Sequence, residues 1–235
     1  MSRAVSGLRV AKHSASVNPP EDTNARNTQL SYDRLADEYV RRIYNELKDK
    51  PLDRELLDLL AARLRLVGPV CDLGCGPGHV ARYLHDQGVD ICGIDLSAEL
   101  LERARQLNPG IEFRQGDMFA LDVPDATWAG IAAFYSIIHI PQAEHVKVLS
   151  EMWRILRPGG LLLITFHLGD EILHFDELWG VKVALDFHLF RSEEVANSLR
   201  AAGFLIEQVI ERDPYPQVEA QTRRAYIFAC KPEGE

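Results

Sequence analysis

A short apolar run, Val70-Cys71-Asp72-Leu73, passes straight into Gly74-Cys75-Gly76-Pro77-Gly78-His79, and this junction constrains the chain more than any other stretch. Glycines at alternate positions permit positive φ and remove the Cβ atoms that would hold a ligand off the backbone. The helix that follows offers N–H groups with no partner inside it. A buried strand therefore ends in a tight turn at a helix N-terminus, with something polar in front of it.

Two uses of such a turn fail at particular residues. The dinucleotide fingerprint G-x-G-x-x-G needs a glycine where His79 stands, and a P-loop needs Lys followed by Ser or Thr where the chain has His79-Val80. What remains is Asp-x-Gly-x-Gly-x-Gly, with a second acid, Asp95, closing the next apolar run at 89–94. A helix and a strand fit between Gly76 and Asp95, so Asp95 emerges at the same sheet edge as the turn. A carboxylate placed there can accept both hydroxyls of a ribose.

The alternation continues downstream. Helix 80–87, strand 89–94, helix 98–107 and strand 111–114 succeed one another, with Ser97 as an N-cap and Pro109-Gly110 as a stop. Strand 128–134, helix 143–156 and strand 161–166 follow. Helix 192–202 then leads to a closing antiparallel pair at 204–210 and 225–229. Nearly all-apolar strands alternating with helices mean a parallel sheet covered on both faces. Upstream, Tyr32, Leu35, Ala36, Tyr39, Val40, Ile43 and Leu47 recur at helical spacing, and a second helix spans 52–66.

Four stretches now carry a resemblance. Asp72 to Gly78, Gly93-Ile94-Asp95-Leu96-Ser97, Gly116-Asp117-Met118 and Leu156-Arg157-Pro158-Gly159-Gly160-Leu161 are similar to the successive signatures of class I S-adenosylmethionine-dependent methyltransferases of small-molecule type. The resemblance covers roughly residues 30–230, a span of ordinary domain size. It implies a Rossmann-like α/β fold: a doubly wound, mostly parallel seven-stranded sheet with helices on both faces, in the order 3-2-1-4-5-7-6. It also implies S-adenosylmethionine as cofactor. In the family the glycine turn faces the methionine part, the second acid binds ribose and the third binds the adenine amino group. These roles pass to Asp72, Gly74, Gly76, Asp95, Asp117 and Met118, with Cys75, Leu96, Gly116 and Tyr135 beside them. Tyr32 and Tyr39 stand on an opening helix similar to one that closes over the cofactor in such enzymes, although core packing explains both rings equally well.

The end of the fourth strand looks at the reacting methyl group, and here it reads Ala133-Phe134-Tyr135-Ser136-Ile137-Ile138-His139. It lacks the Asn or Asp, two prolines and aromatic of enzymes that methylate bases in nucleic acids. It also lacks the metal-binding acid of catechol-type enzymes. A small organic acceptor remains. Methyl transfer mainly requires alignment, and a hydroxyl or protonated amine also requires a base. His139, Tyr135, His167 and His174 are the candidates, each also explicable as a loop histidine or tyrosine with a structural partner.

His167, His174, Asp176, Glu177, Asp186 and His188 match no recognised ligand spacing, so no metal is expected. Residues 169–190 are expected to be a substrate-covering insertion on a core of 69–235, with helices at 29–68 over the cofactor. Residues 1–28, basic and serine-bearing with no acid before Glu21, are expected to be a disordered extension.

A net charge of −9 disfavours nucleic acid and anionic lipid as partners. Three of the four cysteines lie in apolar runs, as reduced thiols of a cytoplasmic protein do. No run is long enough to span a membrane. The expected function is methyl transfer to oxygen or nitrogen of a small molecule. The alternative is a module that binds S-adenosylmethionine or S-adenosylhomocysteine without methyl transfer. A nicotinamide oxidoreductase is disfavoured by His79. Oligomeric state is not legible.

Overall fold

The computed structural model describes residues 21–234. It contains helices α1 (Glu21–Ile43), α2 (Pro51–Leu64), α3 (His79–Asp86), α4 (Ala98–Leu107), α5 (His145–Ile155) and α6 (Ser192–Ala201). The strands are β1 (Val70–Leu73), β2 (Ile91–Asp95), β3 (Glu112–Gln115), β4 (Trp128–Phe134), β5 (Leu156–His167), β6 (Ile172–Leu178), β7 (Val181–His188), β8 (Leu205–Arg212) and β9 (Arg224–Cys230). Seven of them form one sheet in the order β3-β2-β1-β4-β5-β9-β8, parallel except that β9 runs antiparallel to both neighbours. This is the expected topology, because β8 and β9 stand as the sixth and seventh strands of the sheet.

Every residue of β1 and β4 is buried, which is why they read as unbroken apolar runs. Along β4 the side chains alternate between two cores: Ile131 and Ala133 meet Val148, Met152 and Leu199 of α5 and α6, while Ala132 and Phe134 meet the layer of Leu57, Leu60 and Leu84 from α2 and α3. Each leucine fully buried in these layers is worth about 1.5–3 kcal/mol. The strand order reverses beside β1, which pairs with β2 on one side and β4 on the other. Ligand crevices open at such a point, outside the carboxyl ends of the strands.

Two departures bear on the site. The expected disordered extension ends earlier: α1 begins at Glu21, and residues 1–20 lie outside the described residues. Residues 24–29 carry no apolar stripe, yet Asn24, Ala25, Thr28 and Gln29 line a cleft, and the Asn24 side chain donates to the His139 carbonyl oxygen at 3.2 Å. Helix there is stabilised by a distant contact that a local pattern does not display. Secondly, residues 172–188 form a separate antiparallel hairpin, β6–β7, with Phe175, Val183 and Leu185 packed on Leu35 of α1. The Ser31 hydroxyl accepts from the Ala184 N–H at 2.9 Å and holds hairpin to helix.

Smaller differences are local. Helix α5 stops at Ile155, and Leu156–Gly160 is already extended, because a residue before proline is pushed out of the helical region. Ser97 caps α4 as expected, accepting from the Leu100 N–H at 3.1 Å, and its own hydroxyl donates to Asp33 of α1 at 2.6 Å. Ser97→Ala is expected to lower stability by about 1–2 kcal/mol through loss of both bonds, read by urea denaturation; no change would mean that α1 is not anchored through this cap.

Candidate functional site

A cleft of about 850 Å³ opens at the carboxyl ends of β1, β2 and β4, under α1 and the β6–β7 hairpin. One end is built by backbone. Gly74, Gly76 and Gly78 all have positive φ, and a Cβ on Gly74 would collide with the Cβ of Ser136. At Gly76 the nearest atom to such a Cβ is Tyr39 Cε1, 3.5 Å away, so that glycine faces the open cleft. Asp95, at the end of β2, accepts from the Gly76 N–H at 2.7 Å and from the Ser97 N–H at 2.8 Å. Burial pushes its pKa up, and the N–H groups of Ser97, Gly76 and Leu96 pull it back. Leu96, Gly116, Asp117, Met118 and Phe119 continue this end, where the Asp117 side chain turns to accept from the Phe119 N–H at 3.0 Å.

The other end is built by side chains. His139 follows β4 in a short 3-10 turn, Ile137–His139, and its Nδ1 lies 3.1 Å from the Asp186 carbonyl oxygen of β7. A carbonyl only accepts, so Nδ1 carries the proton and Nε2 is left as an acceptor. The Tyr32 hydroxyl donates to that nitrogen at 2.8 Å. Burial lowers the His139 pKa to about 4, so the ring is neutral near pH 7, and burial raises that of Tyr32. His174 differs: its two nitrogens face carboxylates of Asp186 at 2.6 Å and Asp176 at 3.2 Å, both acceptors, and the Asp186 bond raises its pKa. Asp186 thus anchors the neutral His139 by its backbone and, by its side chain, His174, whose pKa it raises.

A methyltransferase-domain family model matches residues 70–160, the stretch that builds the glycine turn, Asp95, Asp117 and β4. Over 161 residues the chain is 34% identical to a phosphatidylethanolamine N-methyltransferase of Cereibacter sphaeroides, covering 66% of this chain and 73% of that one. The chain belongs to the class I S-adenosylmethionine-dependent methyltransferases. A malonyl-[acyl-carrier protein] O-methyltransferase of Enterobacter lignolyticus is 31% identical over 68% of this chain, which spans 61% of that relative's length. In fold it is similar to the 1,6-didemethyltoxoflavin-N1-methyltransferase of Burkholderia thailandensis, with a TM-score of 0.64, 21% identity and 95% of each chain covered.

In this methyltransferase the residues expected at the site divide. Tyr32, Tyr39, Gly74, Gly76, Asp95, Leu96, Gly116, Asp117, Met118, Tyr135, His139 and His174 all line the cleft. Asp72 and Cys75 do not. Asp72 is buried behind the turn, where its carboxylate accepts from the Ala81 N–H of α3 at 2.9 Å, and Cys75 is buried with its thiol toward the Gly76 carbonyl. Their place in the motif is structural: Asp72 ties the turn to the helix that follows it.

His167 is also outside the cleft. It lies behind Tyr135, ring centroids 5.1 Å apart, and its Nδ1 meets the Thr222 hydroxyl at 2.9 Å. Tyr135 has φ +53°, and its hydroxyl points toward Asp53 and Tyr226, each 3.5 Å away, within a buried ionic network. Asp53 is fully buried there, accepting from Arg212 Nη2 at 3.0 Å and from the Tyr226 hydroxyl at 2.8 Å. The geometry therefore removes His167 from the candidate bases, and Tyr135 offers its ring to the cleft while its hydroxyl is held elsewhere.

The lining residues not singled out as site residues from sequence include Ser136, whose buried Oγ has no partner among the described residues, together with Glu144 and His188. The His188 alternation with Asp186 along β7 was the available signal. Although His174 meets Asp176 and Asp186, among the described residues no three His, Cys, Asp or Glu side chains are grouped to hold a metal ion. All four cysteines are free thiols.

Burial lowers the pKa of His139 and His145 to about 4 and of His167 to about 3, against 6.5 when unfolded. Between those values the unfolded chain binds more protons, so stability falls as pH drops from about 6.5 toward 4. Asp72, raised to about 7 by burial, and the raised Asp95 and His174 act in the opposite direction, against the four lowered histidines His139, His145, His167 and His188. The melting temperature is expected to be lower at pH 5 than at pH 7.5; an equal or higher value would contradict neutral burial of these histidines.

Proposed function

We propose that this chain binds S-adenosylmethionine along the glycine-turn end of the cleft and transfers its methyl group to an oxygen or nitrogen of a small organic molecule held at the His139 end. The observation that carries this reading is that a single cleft runs from Gly76 and Asp95 to the Tyr32–His139 pair. The cofactor supplies a methyl group made electrophilic by its sulfonium. The chain's residues supply position: Asp95 takes the ribose hydroxyls, Asp117 and Met118 flank the adenine, and Gly74 and Gly76 let the methionine part approach the backbone. Gly76 fits that role because only its missing side chain keeps the cleft open beside Tyr39.

His139 receives the acceptor's O–H or N–H at Nε2. Tyr32 now donates to that atom, so an acceptor reaches it by displacing Tyr32 or by way of the Tyr32 hydroxyl. His174, with both ring nitrogens engaged by carboxylates, is positioned to orient the acceptor rather than to take its proton. Helix α1 and the β6–β7 hairpin act as the cover of both ligands. His139→Ala is expected to lower turnover about 10- to 100-fold with cofactor affinity intact, since alignment and proton handling are lost together. Unaltered turnover would return His139 to a structural role.

The reading is tested by incubating the protein with methyl-labelled S-adenosylmethionine and a panel of small hydroxyl and amine compounds, and measuring S-adenosylhomocysteine release. Binding without release on any compound would favour the alternative, a module that holds the cofactor without methyl transfer. A cytoplasmic setting suits the four free thiols. No helix among the described residues is long and apolar enough to cross a membrane. The net charge of −9 and the acidic cleft argue for a small-molecule partner over nucleic acid.

A further inference from the structure

The three histidines that line the cleft differ in what they hold. His139 has Nδ1 on the Asp186 carbonyl and Nε2 under the Tyr32 hydroxyl, and His174 has both nitrogens on carboxylates. His188 lines the same cleft, yet its side chain hydrogen-bonds to no described residue. It is only 8% exposed, so its ring is a buried polar group that the protein itself does not match. Its place is fixed by the fold. It stands opposite Ile172 at the end of β7, two residues from Asp186 and so on the same face of the hairpin, and its ring lies parallel to that of Phe190, centroids 6.1 Å apart. His139 is near enough for a charge on His188 to lower its pKa. Burial lowers the His188 pKa as well, so near pH 7 the ring is neutral, with one N–H donor and one acceptor.

We propose that the methyl acceptor is a neutral compound with two hydroxyl groups on an apolar body, one methylated at His139 and the other held by His188. This rests on the methyl-transfer reading above and narrows it to oxygen. A hydroxyl both donates and accepts, so it matches a neutral imidazole in either tautomer. A compound lacking it leaves the buried His188 ring unmatched and loses affinity. The reacting group is a hydroxyl for a reason of acidity. An aliphatic amine titrates near about 10 and must lose a proton before it has a lone pair to attack with. His139, with a pKa of about 4, is too weak a base to take that proton. A neutral hydroxyl already has its lone pairs. Its oxygen forms the new O–C bond while the C–S bond breaks and leaves its electron pair on sulfur. The O–H becomes strongly acidic as the bond forms, and its proton passes to His139 Nε2, directly or through the Tyr32 hydroxyl, and afterwards to water. Positive charge thus moves from the sulfonium to the imidazolium, and the hydroxyl at His188 keeps its proton. Phe119, Phe134, Ile140 and Leu173 supply walls for the apolar body.

The test uses the full chain loaded with S-adenosylhomocysteine, titrated by calorimetry with phenol and with each of the three benzenediols at pH 7.5. At least one benzenediol is expected to bind about five- to tenfold tighter than phenol, beyond the roughly twofold gain that a second equivalent hydroxyl brings by counting alone. In His188→Phe, which keeps a ring beside Phe190 but no ring nitrogen, the advantage should fall to about that twofold, with S-adenosylhomocysteine affinity as the folding control. His188→Leu repeats the comparison with a smaller side chain. A wild-type protein in which no benzenediol exceeds the counting gain, or an advantage that survives in a folded variant, would overturn the proposal. The two readings fail separately. Binding of S-adenosylhomocysteine without a diol preference sinks the two-hydroxyl assignment alone, whereas absence of S-adenosylhomocysteine binding sinks the methyl-transfer reading and this one with it.

Discussion

Asp95→Ala is expected to weaken S-adenosylmethionine binding by about 10²- to 10³-fold. The carboxylate is half-buried at the end of β2 and already oriented by the N–H groups of Gly76, at 2.7 Å, and Ser97, at 2.8 Å. Burial raises its pKa, and these donors together with the Leu96 N–H pull it back. Hydrogen bonds to a charged group are worth about 1.5–3 kcal/mol each. Losing two of them near the lower end of that range costs about 3–4 kcal/mol, which converts to the stated factor. The substitution also leaves two N–H groups without their acceptor, so the glycine turn loses its brace against β2. Calorimetry of Asp95→Ala, with circular dichroism as the folding control, reads the effect. Unchanged affinity in a folded variant would remove the ribose assignment.

Gly76→Val should abolish detectable cofactor binding while the chain still folds. The Gly76 φ is +52°, and a Cβ there meets only Tyr39 Cε1, at an ordinary contact distance of 3.5 Å. The fold therefore accommodates the side chain at a conformational cost of about 1–2 kcal/mol, seen as a lower melting temperature. The ligand does not, because the new methyl groups occupy the space between the turn and Tyr39. Gly74 is the poorer test: its Cβ would strike Ser136, so loss of binding and loss of folding would be confounded. A Gly76→Val protein that binds normally would mean that the turn does not face the ligand.

What the sequence made legible, and what it hid, follows the range of the interactions involved. Strands β1 and β4, buried on both faces, announce themselves as apolar runs, and the glycines at 74, 76 and 78 announce a turn with positive φ because few other residues tolerate it. Asp95 was legible for the same reason: its place depends on one helix and one strand in between. The direction in which a loop side chain points is not local. His139 and His167 both follow strand ends, yet His139 meets Tyr32 and β7 in the cleft while His167 is drawn behind Tyr135 toward Thr222. Nothing in either neighbourhood distinguishes the two.

The motif itself hid another division. Asp72 and Cys75 share a signature with Gly74 and Gly76, but a carboxylate that brackets α3 from behind looks identical in sequence to one that faces a ligand. The first turns of α1 were hidden because their partners are 115 residues away, at the His139 carbonyl. The hairpin is half legible: residues 183–190 alternate as a strand does, but its partner β6 and its packing on Leu35 depend on tertiary contacts.

The central claim is that this cleft is built for S-adenosylmethionine, and the most direct measurement is a thermal-shift comparison of the purified protein with S-adenosylmethionine, S-adenosylhomocysteine, NAD and no ligand. A ligand that binds only the native state raises the melting temperature as its concentration exceeds the dissociation constant. The account predicts a rise with the two sulfur compounds and none with NAD. A rise with NAD alone, or no rise with either sulfur compound, would contradict it.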